Sequence, residues 1–236
     1  MAKARLPPTV ADLALRDRAV LVEETLVLAD LHLGQGAASQ LEFPVGTGAR
    51  IVERVDELLA WADPAELVLA GDVLHAFDTV PHTVADALDS IAATAREHDV
   101  ALVALEGNHD SMLRSVWDGP IHEEYRVGET VCCHGHEPPE SAADLYVIGH
   151  EHPVLSVAGR RRPCYLAGES VRDGADLLVL PPFSRLLRGV EINDADAASF
   201  MSPLITDADA LQPIVWDDAA RETLPFPQLG SFRDQL

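Results

Sequence analysis

Lysine is all but missing. Lys3 is the only one, and with the arginines it makes 17 basic side chains against 39 acidic ones, a net charge of -22 over 236 residues. That is more acidity than solubility requires, and at low salt it repels a polyanion. The reading adopted is a halophilic one: at molar salt the screening length falls to about 3 Å, and surface self-repulsion largely disappears. Cysteine is scarce too. Three residues, two of them adjacent as Cys132-Cys133, provide neither a disulfide framework nor a Cys-x-x-Cys zinc pattern. Cys164 reads as a small buried hydrophobe, and strand alternation turns Cys133 to the face opposite His134. No apolar run reaches the roughly eighteen residues of a membrane span. Met1 to Thr9 lacks the apolar centre of a secretory signal, so a soluble, cytoplasmic protein is expected.

Short apolar runs and helical stripes supply the organisation. Ala19 to Val22 and Thr25 to Ala29, separated by Glu23-Glu24, predict a hairpin whose second strand delivers Asp30. Ile51, Val52, Val55, Leu58 and Leu59 recur at helical spacing before Asp63-Pro64 stops the helix, and Leu67 to Ala70 follows as a buried strand. A second helix carries Val84, Ala87, Leu88, Ile91 and Ala95, and Val100 to Leu105 is the next strand. This is a parallel βαβ rhythm. Beyond about residue 120, short strands with little helix between them predict a second, more antiparallel sheet. The expected fold class is α/β, two packed mixed β-sheets flanked by helices in four layers, with loops from both sheets converging on one edge. One domain is expected over 1-205, with 206-236 as its acidic, loop-like C-terminal extension; Pro225 and Pro227 argue against a long terminal helix.

Five motifs stand at the exits of these runs: Asp30-Leu31-His32, Gly71-Asp72-Val73-Leu74-His75, Gly107-Asn108-His109-Asp110, His134-Gly135-His136 and Gly149-His150-Glu151-His152. Seven of the ten histidines fall inside them, which a random scatter would not produce. Asp-x-His alone is weak evidence. Gly-Asn-His-Asp says more, because it combines a neutral amide ligand with a glycine that frees the backbone in one tight turn. All five in order are the layout of a two-metal phosphoesterase site.

On these motifs the chain resembles the calcineurin-like metallophosphoesterases, and within them the small archaeal SbcD-related and bacterial DNA-ligase-associated enzymes. The likeness runs from about Leu26 to Val190 and includes Arg162-Pro163-Cys164-Tyr165 and Leu178 to Phe183. It implies that Asp30, His32 and His152 hold one divalent ion, that Asn108, His134 and His150 hold a second, and that Asp72 bridges them. Paired ions about 3.5 to 4 Å apart make hydroxide from a shared water near neutral pH and hold phosphoryl oxygens for in-line attack. His109 is the implied general acid. Manganese is the first expectation for both ions, with iron or zinc also compatible with the ligand set.

One position departs from many phosphatases of the superfamily. His75 stands where they carry aspartate, as in some SbcD-type nucleases, which points to a contact with substrate phosphate or to support of His109. His136 is read either as lying behind the ligands or as plain hydrogen bonding; Asp110 either supports the site or substrate or, in the favoured reading, caps the following helix with Ser111 and Met112 in its first turn. Arg161, in the run Arg160-Arg161-Arg162, is either a phosphate contact or part of a solvated hairpin tip after Gly159. His82, His98 and His122 are expected at the surface. The implied reaction is phosphoester hydrolysis, preferably of nucleic-acid or nucleotide diesters. The alternatives are a phosphomonoesterase and an inert metal-binding scaffold of the same fold.

Overall fold

A computed structural model describes residues 5-35, 47-75 and 78-233. The first sheet has the order β1-β2-β3-β4-β5-β6: Ala14–Arg16, Ala19–Val22, Thr25–Leu28, Glu66–Ala70, Ala101–Leu105 and Ile121–His122. β1 to β3 are antiparallel, whereas β3 to β6 run parallel. The expected hairpin is β2-β3, with Val22 opposite Thr25 across Glu23-Glu24. Parallel strands must be covered on both faces, and β4 accordingly alternates between two cores. Leu67 and Leu69 face a helical layer, where Val55, Leu58 and Leu59 of α2 (Thr47–Ala62) meet Leu88 and Ile91 of α3 (His82–Glu97). Val68 and Ala70 face the second sheet. Each fully buried leucine of this kind contributes about 1.5 to 3 kcal/mol of transfer free energy.

The second sheet contains β7 (Glu124–Val127), β8 (Thr130–Cys133), β9 (Leu145–Ile148), β10 (Pro153–Val157), β11 (Arg160–Arg172), β12 (Ala175–Val179) and β13 (Val190–Glu191), in the order β13-β10-β11-β12-β9-β8-β7. Its inner face, with Cys132, Val147, Tyr165 and Leu178, packs on the first sheet. Its outer face, with Cys133, Ile148, Cys164 and Leu166, is covered by Ile192, Leu204, Leu211 and the short helix α4 (Leu229–Arg233). Helical cover is therefore thick on one side and thin on the other, while the short α1 (Pro8–Ala11) contacts β11 and puts Val10 into the core between the sheets. Cys133 lies on the face away from the first sheet, as alternation requires.

The tail corrects the loop-like expectation. β14 (Gln212–Asp217) pairs antiparallel with β11, placing Val215 opposite Cys164, and β15 (Glu222–Pro225) pairs with β14. Ile214 and Val215 are buried in this pairing. No long terminal helix forms, as Pro225 and Pro227 implied, and the strands accommodate Pro213 and Pro225 because proline disrupts a strand only where its nitrogen would have to donate.

β3, β4 and β5 are parallel in one sheet, and β8, β9 and β12 are parallel in the other. Phe183 N donates to Ala29 O at 2.8 Å and Ser184 N to Asp30 O at 3.1 Å, so the chain leaving β12 is tied to the exit of β3. All five motifs gather on this shared edge.

Candidate metal centre

The loops after β3 and β4 lie alongside one another. Asp30 N donates to Gly71 O at 3.1 Å, His32 N to Asp72 O at 2.9 Å and His75 N to Leu33 O at 2.8 Å, so the first two motifs are laced by backbone before any side chain contributes. Asp110 adds the third motif: its buried carboxylate accepts from Val73 N (3.2 Å), Leu74 N (2.8 Å) and Gly107 N (3.0 Å). This corrects the cap expectation. The chain after Asp110 forms a 3-10 turn at Leu113–Ser115 with no side-chain cap, and three backbone donors of the site loops claim the carboxylate instead. Gly107 lets the loops touch, because a Cβ there would lie 2.2 Å from Asp72 N. Asp30, His32, Asp72, His150 and His152 all have φ between 43° and 69°. Left-handed backbone costs a non-glycine residue on the order of 1 to 2 kcal/mol, and its concentration here marks a built site.

These strained turns aim polar atoms at one another. Asp30, His32, Asp72 and His152 each present one ligand atom, all within 4.8 Å of each other. His152 Nε2 is 3.3 Å from Asp30 Oδ1 and 3.4 Å from His32 Nε2. The Asp72 carboxylate faces two ways: Oδ2 is 3.3 Å from His32 Nε2, and Oδ1 is 3.4 Å from His134 Nε2. Around His134, Nε2 lies 3.0 Å from Asn108 Oδ1 and 3.2 Å from His150 Nδ1. The structure thus brings together every side chain in the expected ligand set.

Burial sets the protonation states. It drives His32 down to about 3 and both His134 and His150 down to about 4, so their lone pairs are available at neutral pH. Burial, reinforced by the charges of Asp30 and Asp110, pushes Asp72 up to about 8, although the His109 N–H opposes the rise. Burial also raises Asp30, but bonding to His152 and the fields of His152, His134 and His32 outweigh it and hold that carboxyl below its usual range. His152 moves the other way: burial lowers it, and Asp30 more than restores it. Two buried carboxylates among imidazoles too weakly basic to neutralise both fit divalent cations, and oxygen and nitrogen donors of this mix suit manganese, iron or zinc.

The remaining candidates surround this cluster. His109 N donates to Asp72 Oδ1 at 2.9 Å, and its ring stacks on His75 with centroids 5.2 Å apart and planes 19° apart. His75 Nδ1 is also 3.1 Å from His32 Nδ1. His136 lies beside His134, at 5.2 Å between centroids. Arg161 is away from the cluster, on β11, where Nη1 pairs with Glu191 Oε2 at 2.6 Å. His82 and His122 are exposed, and His98 pairs with Asp56 at the surface. Sequence reasoning left Glu151 without a role, although it stands between two histidines of a motif. It is buried and accepts from Met201 N and Ser202 N, pinning the 201-202 turn against the site. Its position beside a histidine in Gly-His-Glu-His was the one available signal.

Comparison with known proteins bears on this arrangement. The family model of the calcineurin-like phosphoesterases matches residues 24–146, just over half of the chain. The nuclease MPE of Pseudomonas putida is 27% identical, with 91% of this chain and 94% of that one covered, at a TM-score of 0.61. Yfce, a phosphoesterase from E. coli, is 17% identical, with 86% and 98% covered, at a TM-score of 0.44. No curated protein matches the chain. Among the described residues no helix is long and apolar enough to cross a membrane. With the matched segment beginning just before Asp30 and running past His134, the chain belongs to the calcineurin-like phosphoesterases, hydrolases that act on phosphoester bonds.

Proposed function

We propose that the chain hydrolyses phosphodiesters of nucleic acids or nucleotides, with Asp30, His32 and His152 holding one divalent ion, Asn108, His134 and His150 holding another, and Asp72 touching both. The observation that carries this reading is the Asp72 carboxylate, whose two oxygens face His32 and His134 separately. A bound pair of such ions supplies an activated water and polarises the phosphoryl oxygens. His109, anchored by its own N–H on Asp72, is the group that protonates the leaving alkoxide. His75, stacked on His109, orients that ring and stands beside the phosphate. His136, behind His134, and Asp110, across three loop donors, fix the ligands from outside.

Manganese is the preferred ion. The diester preference draws on the nuclease relative and on likeness to the SbcD-related and ligase-associated subgroup. Three free, buried cysteines suit a reducing cytoplasm, and the acidity suits a halophilic one. The test is turnover of a bis-aryl phosphodiester with manganese in high salt, with metal content measured alongside. Asp72→Asn is expected to lower kcat about a hundredfold or more and to reduce bound metal. Hydrolysis of monoesters alone would overturn the diester reading.

A further inference from the structure

Arginine is not spread evenly over this acidic molecule. Two adjoining cavities of ≈ 890 and ≈ 520 Å³ run between the β1-β2 turn, α2, and the β11-β14 side of the second sheet. Five arginines line the first and five the second, Arg185 being common to both, so nine of the sixteen arginines meet in one groove. Only four carboxylates line it, Asp17, Glu53, Glu57 and Asp218. In a chain of net charge -22, that is a local reversal of sign.

Two further features give the reversal a chemistry. Trp61 and Trp216, both half-buried, line the same groove, and the Arg16 guanidinium sits 5.0 Å over the Trp61 ring. Some of the arginines are committed to the fold: Arg18 donates to Pro182 O and Ser184 O, and Arg54 to Phe183 O. Among the described residues, Arg50, Arg160 and Arg221 are exposed and have no ion pair. The groove also adjoins the metal centre, because the segment gripped by Arg18 and Arg54 is the one whose N–H groups donate to Ala29 O and Asp30 O. Cations distributed along a furrow, interleaved with aromatic faces, match a repeating anion that carries stackable rings better than they match a single compact anion.

We infer that this groove is a track for the phosphodiester backbone of a single-stranded nucleic acid, with bases stacking on Trp61 and Trp216, leading the strand to the metal edge. The inference rests on the nucleic-acid reading above. It also reconciles that reading with the overall charge, since the strand meets a region whose lining holds nine arginines against four carboxylates.

The test is fluorescence anisotropy of a phosphorothioate-linked oligodeoxythymidine of about 16 nucleotides, a site size within the usual range, against the metal-loaded chain over a series of salt concentrations. Replacing three exposed cations together, Arg50→Gln, Arg160→Gln and Arg221→Gln, is expected to weaken binding about tenfold or more at low salt. It is also expected to reduce the slope of log K against log salt by about 2. The matching triple arginine-to-lysine variant restores the slope, and unchanged melting temperatures show that both fold. Equal affinity and slope in wild type and triple glutamine variant would overturn the track. So would equally tight binding of a duplex, or equal competition by polyglutamate. Turnover of the bis-aryl diester by the wild-type chain reports on the proposed function independently, so the two ideas fail separately.

Discussion

Asp17 is the residue that holds the shoulder of the site. Its carboxylate accepts from Arg54 Nε at 2.8 Å and from Arg185 Nη2 at 3.0 Å, while Arg54 stacks 3.8 Å over Phe183, beside the strip bound to Asp30. Burial raises the Asp17 carboxyl, but the two guanidinium groups overcome it and leave the group below its ordinary 3.8. A folded value below the unfolded one means that this stabilisation is complete above about pH 4 and is lost as pH falls through the lower, folded value. Asp17→Asn keeps a residue type that tolerates the local φ of 40°. It is expected to cost about 2 kcal/mol at pH 7, with part of the loss discounted because Arg185 is largely exposed. Denaturant melts at pH 7 and pH 3 check this, and the gap between variant and wild type should shrink at the lower pH. The clustering of Asp30, His32, Asp72 and His152 was legible at this scale because metal-ligating chemistry restricts such positions to a few residue types in short motifs. The Asp17 bridge was not, since its partners lie 37 and 168 positions away and nothing local marks them.

At the scale of elements, the β10-β11 hairpin shows what a pattern reveals and what it hides. Val157 pairs with Arg160, leaving Ala158 and Gly159 as a two-residue connection with φ of 50° and 70°. Two positive φ values are what a primed turn requires, and alanine at the first position carries a steric cost that asparagine largely avoids. Ala158→Asn is expected to raise stability by about 0.5 to 1 kcal/mol, read as a shift of the urea midpoint at constant m value. Arg161 is exposed on β11 one residue pair from that turn, close to the solvated tip expected of it, and is bonded to Glu191 and to the carbonyls of Arg188 and Gly189. Strands β3, β4, β8 and β9, and β5 from Val103 on, were legible because burial on both faces makes them continuous apolar runs. β14 escaped notice because its partner, β11, lies some fifty residues upstream. β1, at three residues, is too short to show a period.

For the molecule as a whole, charge dominates. With a net charge of -22 and nine of the sixteen arginines drawn into one groove, self-repulsion opposes the compact state wherever salt does not screen it. Raising potassium chloride from about 0.1 M to about 1 M cuts the screening length from about 10 Å to about 3 Å and is expected to raise Tm by about 5 °C or more. A scanning-calorimetry series that stayed flat would discard the halophilic reading. The layout of the centre carries a separate consequence. Asp30, His32, Asp72 and Asn108 leave one sheet, whereas His134, His150 and His152 leave the other. Any cation pair gripped by all seven is therefore a rivet through two plates, and chelation should loosen the seam first, letting each plate fray on its own schedule under hydrogen exchange.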